Sequence, residues 1–168
     1  IADYFGDDKN EDILLTTNDC WDTYEEIFLP DDYILYKIHC FTESKFAVLC
    51  YDKKVDKYLY MTTTDKGKNW DYVHYFDDDI IIYNIDFVNN TVFAIGRANY
   101  VPGAKLSLLF KSVDGGNSWE KISSMHNKEI LENFSIYGFD FYDENNGIIS
   151  TTESSVLVTT DGGTSWKE

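Results

Sequence analysis

The stretch Thr159-Thr160-Asp161-Gly162-Gly163-Thr164-Ser165-Trp166 recurs upstream in the same eight-residue grammar, S/T-x-D-x-G-x-x-W. Ser112-Val113-Asp114-Gly115-Gly116-Asn117-Ser118-Trp119 repeats it in full, and so does Thr63-Thr64-Asp65-Lys66-Gly67-Lys68-Asn69-Trp70. A fourth copy, Thr17-Asn18-Asp19-Cys20-Trp21-Asp22-Thr23-Tyr24, lacks the glycine and ends in tyrosine. The four aspartates stand 46, 49 and 47 residues apart. A constant period of that size restricts the chain to an array of one supersecondary unit, copied along its whole length.

The chemistry of the box explains why it would be copied. An aspartate in a tight turn accepts hydrogen bonds from backbone N–H groups a few residues on, and the glycine supplies a left-handed conformation that a side chain would penalise. A charge-assisted bond of this kind contributes roughly 1.5–3 kcal/mol. The tryptophan opens the next strand and can fold over the turn, burying roughly 150–250 Å². The expected staples are Asp19; Thr63, Asp65, Gly67 and Trp70; Ser112, Asp114, Gly116 and Trp119; and Thr159, Asp161, Gly163 and Trp166.

Between boxes, two-residue alternation predicts four strands per repeat. In the central repeat these are Tyr83 to Val88, a turn at Asn89-Asn90, Thr91 to Arg97, a polar connection through Pro102-Gly103, Leu106 to Ser112, and Trp119 to Ile122. First strands at Tyr36 to Phe41 and Tyr137 to Tyr142 align with Tyr83 to Val88. Second strands follow at Phe46 to Tyr51 and Gly147 to Thr152, and third strands at Tyr58 to Thr63 and Ser155 to Thr160. Near the start, Ala2 to Gly6 reads as a second strand, Ile13 to Thr17 as a third and Tyr24 to Leu29 as a fourth. No segment has helical periodicity.

These boxes resemble the Asp-box, or BNR, repeat of the sialidase-like β-propellers. The run Asp140-Phe141-Tyr142-Asp143-Glu144-Asn145-Asn146-Gly147, leading on to Thr159-Thr160-Asp161-Gly162-Gly163, is also similar to the photosystem II assembly factor branch of that superfamily. The resemblance implies an all-β propeller of four-stranded antiparallel blades, with Asp-box turns between third and fourth strands. It divides one domain, 1–168, into blades at about 1–30 (incomplete), 31–79, 80–130 and 131–168. Blades left incomplete at both ends would expose strand edges, which predicts an internal piece of about three and a half blades from a larger propeller. The rival is a compact four-bladed domain with irregular closure.

Composition bounds the function. A net charge of −16 argues against nucleic acid or anionic membrane surfaces as partners, because both require clustered basic residues. No apolar run approaches the roughly 20 residues that span a bilayer, so membrane insertion is not expected. With 43% hydrophobic and 17% aromatic residues the chain is not of disordered composition. It begins at Ile1 without an initiator methionine or signal peptide, which reads as a processed, trimmed or partial chain. Cys20, Cys40 and Cys50 are expected to be free thiols, since counting back from Glu43-Ser44 puts Cys40 and Cys50 out of register.

Catalytic grammar is thin. The resemblance to sialidases implies three arginines gripping a carboxylate, a tyrosine paired with a glutamate, and an aspartate acid/base. The chain holds one arginine, Arg97, and a guanidinium fork is not replaced by lysine. Asp86 and Asp140 fill one slot on two first strands, with His39 in the third copy. If first strands line a central channel, His39, Asp86, Arg97 and Asp140 are candidate ligand contacts, and the two carboxylates are candidates for glycoside hydrolysis. The competing reading is that a repeated slot serves the repeat, for instance by bonding the backbone of a neighbouring blade. Asp7-Asp8, Asp31-Asp32 and Asp77-Asp78-Asp79 invite a calcium reading but match no EF-hand spacing, and solvated loop charge is the simpler expectation. His74 and His126 lack metal-ligand spacing. Tyr72, Tyr75 and Tyr100 suit a sugar-stacking or protein-binding face, or packing between blades.

No metal, cofactor or catalytic residue is therefore expected. The leading functional expectation is a non-catalytic, extracytoplasmic propeller scaffold for a protein or carbohydrate ligand. The alternative is part of a glycoside hydrolase. The photosystem branch further implies a basic patch for a partner subunit, and 14 basic against 30 acidic residues depart from that.

Overall fold

Short runs of alternating apolar residues, each ended by turn chemistry, fold here as antiparallel meanders. The computed structural model describes residues 13–77, 79–98, 107–122, 136–152 and 154–168. Among them there is no helix, and thirteen strands form four sheets. The first sheet has two strands, β1 (Ile13–Thr16) and β2 (Glu25–Phe28). The second runs in order through β3 (Tyr33–Cys40), β4 (Phe46–Asp52), β5 (Lys57–Thr63) and β6 (Tyr72–Tyr75). The third repeats that order with β7 (Ile80–Val88), β8 (Thr91–Ala98), β9 (Ser107–Ser112) and β10 (Glu120–Ile122). The last has β11 (Ile136–Phe141), β12 (Gly147–Thr151) and β13 (Val156–Thr159). Every pairing is antiparallel between sequence neighbours.

Two compact units contain these sheets, Ile1–Asp78 and Asp79–Glu168. In the first, Leu14, Ile27 and Leu29 pack on Phe46, Val48, Cys50, Leu59 and Met61, residues on one face of the second sheet. In the second, Val88, Phe93, Ile95 and Leu109 pack on Ile136, Phe141, Ile149, Leu157 and Trp166. At its centre the Phe93 and Phe141 rings stack with centroids 3.6 Å apart and planes 3° from parallel. Fully burying side chains of this size stabilises by about 1.5–3 kcal/mol each.

The first strands depart from expectation in an instructive way. Strands β3 and β7 begin three residues early, at Tyr33 and Ile80, because each contains a register slip. The slips fall between Leu35 and Lys37, between Ile82 and Asn84, and, in β11, between Ile136 and Gly138. Tyr36, Tyr83 and Tyr137 are thus the extra residue of a β-bulge, and a bulge interrupts the alternation that marks a strand in sequence. Most other boundaries differ from expectation by one residue. The expected strand at Ala2 to Gly6, the Pro102-Gly103 connection and Leu106 lie outside the described residues. Trp166 to Glu168 adds an isolated bridge, Val158 to Lys167, beside β13. Cys40 pairs across the ladder with Phe46 and Cys50 with Leu35, so the two are not opposed, and all three cysteines are free.

Candidate functional site

The four boxes share one cage. Asp114 accepts bonds from the Ser118 N–H at 2.8 Å, the Ser118 hydroxyl at 2.7 Å and the Ser112 hydroxyl at 2.7 Å, while Gly116 N–H donates to Ser112 Oγ at 2.8 Å. Asp161 is held in the same way by Ser165 and Thr159, and Asp65 by Asn69 and Thr63. In each full box the residue after the aspartate then ties the box to the first turn of its own sheet. Lys66, Gly115 and Gly162 donate their N–H groups to the carbonyls of Ser44, Asn90 and Asn145 at 3.0, 2.8 and 2.8 Å. The box is a clamp between two turns at one end of a sheet, with its carboxylate spent on its own loop.

The seventh box position escaped the sequence reading. Thr23, Asn69, Ser118 and Ser165 each donate both a backbone and a side-chain bond to the aspartate. The signal was present, since all four are hydroxyl or amide residues, but the tryptophan next to them drew the motif's boundary.

Bonds to the charged form lower a carboxyl pKa. Those from Ser118 and Ser112 hold Asp114 down at about 2, and those from Asn69 hold Asp65 below its ordinary value. Partial burial pushes Asp161 upward, but Ser165 and Thr159 outweigh it, and it too is lowered. A carboxyl whose folded pKa lies below its unfolded one adds stability that is complete above the unfolded value. For Asp114 that stability is lost as pH falls from 3.8 through about 2. The urea midpoint is therefore expected to be flat down to about pH 5 and to drop steeply below about pH 4. Asp114→Asn should flatten that drop, and an equally steep drop in the variant would remove the cage as its cause.

The shared slot on the first strands serves packing in one copy. Asp86 accepts the Phe87 N–H at 2.9 Å and, through its other oxygen, the Phe141 N–H of the adjoining sheet at 2.9 Å. Phe93 is the cross-strand partner of Asp86, so one pair holds Phe141 by its backbone and by its ring. Asp140 is exposed on β11 opposite Ile148. His39 is half-buried edge-on to Phe41 at 4.7 Å. Arg97 is exposed near the end of β8, paired with Ile81 and Ser107. Within the second unit Asp86 is committed to backbone N–H groups, and Arg97 stands well along β8 from Phe93, the partner of Asp86.

The remaining candidates have ordinary partners. Tyr75 bonds the Tyr33 hydroxyl at 3.2 Å and the buried Asp52 carboxylate at 3.0 Å. Asp32 pairs with Lys54 at 2.8 Å. His74 is half-buried edge-on to Phe76, and burial lowers its pKa. Tyr100, His126, Asp7, Asp8, Asp78 and the side chain of Tyr72 lie outside the described set. Among the described residues no group of three or more His, Cys, Asp or Glu could hold a metal ion.

The first box keeps the cage but not its aromatic packing. Thr23 donates to Asp19 from backbone and hydroxyl at 2.9 and 2.6 Å, and Trp21 N–H donates to Thr17 Oγ1 at 3.1 Å in place of the glycine. Cys20 and Trp21 both hold left-handed backbone, φ 61° and 76°, which costs a non-glycine residue about 1–2 kcal/mol. Elsewhere the final aromatic folds inward: Trp166 is buried, Trp70 packs edge-on to Phe46, and Trp119 donates its indole N–H to Gly116 O at 2.9 Å. Tyr24 instead is 56% exposed and Trp21 39%. Beside this box a groove of about 340 Å³ is lined by Thr16, Asn18, Tyr24 and Glu25 together with Glu43 and Lys66 of the next sheet's turns.

No protein-family model matches the sequence, and no curated protein does. Solved structures do. The structure described as YCF48 bound to D1 peptide has a TM-score of 0.58 and 16% identity, covering 81% of this chain and 40% of its own. YCF48 from Cyanidioschyzon merolae has a TM-score of 0.58 and 22% identity, covering 83% of this chain and 40% of its own. At such identities the likeness carries the fold, and the fold is that of part of a β-propeller. The chain spans 40% of the length of each of these neighbours.

Proposed function

We propose that this chain works as a non-catalytic β-propeller module that binds a segment of another protein. The observation that carries this reading is its likeness in fold to YCF48, a propeller that has been seen with a D1 peptide bound. The chemistry of the boxes agrees with it. Their aspartates are caged by their own loops, Asp86 is occupied by backbone N–H groups, and one arginine cannot make the triple guanidinium grip of a sialidase. The turn boxes are read as Asp-boxes, the branch as the photosystem II assembly factor-like one, and the location as extracytoplasmic.

Selection against a displayed random-peptide library, followed by calorimetry on recovered peptides, tests the reading. Saturable binding with dissociation constants in the micromolar range is expected, about −8 kcal/mol. Fluorogenic sialosides and β-glucan oligomers should pass unchanged. Turnover that disappears on Asp86→Asn or Asp140→Asn would overturn the module in favour of a glycoside hydrolase.

A further inference from the structure

We infer that the groove beside the first turn box receives an extended peptide segment through its lysine or arginine side chains. This rests on the protein-binding reading above and gives it a place and a chemistry.

Three features converge at the groove. Its volume of about 340 Å³ suits one or two side chains of an extended segment, at the small end of ligand sites. Its wall carries two carboxylates, Glu25 and Glu43, against one ammonium, Lys66. The flanking residues add exposed Asp22 and Glu26 to the acidic side, with exposed Lys68 further along the neighbouring box. The acidic excess matches a cationic side chain, and a guanidinium can meet a carboxylate through two parallel bonds.

Aromatic residues supply the third feature. The cage around Asp19 is as complete as in the other boxes, yet its aromatics are not drawn under the turn. Tyr24 lines the groove while 56% exposed, and Trp21, held at positive φ in the glycine slot, is 39% exposed. A cation set over such a ring within about 6 Å is attracted by its π face. The turn is thus rigid where its polar atoms meet and open where its rings stand, the combination a preformed contact site requires.

The test uses the intact chain and three labelled Gly/Ser octapeptides carrying two arginines, two lysines or two glutamates, read by fluorescence anisotropy. The arginine peptide should bind best, the lysine peptide about 3- to 5-fold more weakly, and the glutamate peptide not measurably. Tyr24→Ala should weaken the arginine peptide about 3- to 5-fold, and Glu25→Lys with Glu43→Lys at least ~10-fold. Raising salt should weaken it in the unaltered protein and hardly at all in the double variant. All three substituted positions are exposed, and an unchanged circular dichroism spectrum shows the variants folded. Binding of the glutamate peptide as tightly as the arginine one overturns the proposal, as does an arginine affinity that ignores both variants. In those cases peptides recovered from the random library would still support the protein-binding module, bound elsewhere. An empty library selection would remove the module itself.

Discussion

Phe93→Ala should destabilise the Asp79–Glu168 unit by about 3–5 kcal/mol, the range for deleting a buried ring from a packed core. Phe93 has no exposed surface and lies flat against Phe141, which in turn meets Phe139 and Trp166 edge-on at 6.2 and 6.1 Å. The Lys111 ammonium also stands over it, 5.1 Å from the ring centre. Removing the ring opens a cavity between two sheets on one face of Phe141, the ring against which Trp166 packs. For a unit of this size the thermal midpoint should fall by at least ~10 °C. Tyr137→Ala, at an 81% exposed residue, is the control and should stay within about 0.5 kcal/mol of the unaltered chain. A Phe93→Ala protein unfolding within about 1 kcal/mol of the original would refute this packing.

Gly163→Ala should cost about 2–5 kcal/mol, read as the shift in urea midpoint. Two causes add. The backbone there has φ +88°, where a side chain is penalised by roughly 1–2 kcal/mol. A Cβ would also stand 2.5 Å from Cδ2 of Leu109, a buried residue of the preceding sheet, and such overpacking typically costs a further 1–3 kcal/mol. Gly115→Ala separates the causes, because its φ is +73° but its Cβ would meet only the Asn90 amide, at 3.0 Å. It should lose about 1–2 kcal/mol. Equal losses in the two variants would mean that Leu109 yields and only the backbone matters.

Much of this was legible because turns and strands leave short-range marks. Asp65, Asp114 and Asp161 predicted their cages, and the Phe46 to Tyr51 strand was found within one residue. Ile80–Ile82 was missed for a local reason. The bulge at Tyr83 reverses the phase of alternation, so the segment before it looks unrelated to the strand after it. Tyr36, Tyr83 and Tyr137 did stand aligned as apparent strand starts, and that identity was the clue to a repeated irregularity. The partner of Asp86 could not be read from sequence. The Phe141 N–H lies 55 positions away, and only the stacking of sheets brings the two within 2.9 Å. The groove was hidden likewise, because Glu43 and Lys66 reach it from another repeat.

The cage around Asp19 survives with tryptophan where glycine is usual, since hydroxyl donors rather than glycine hold the carboxylate. Spelled by its donors, S/T-x-D-x-x-x-S/T/N, the turn is found at Thr17, Thr63, Ser112 and Thr159. Spelled by glycine and tryptophan it is found only three times. Any census of modules in related chains that insists on those two letters will come up short wherever they have drifted, and the donor spelling restores the missing members.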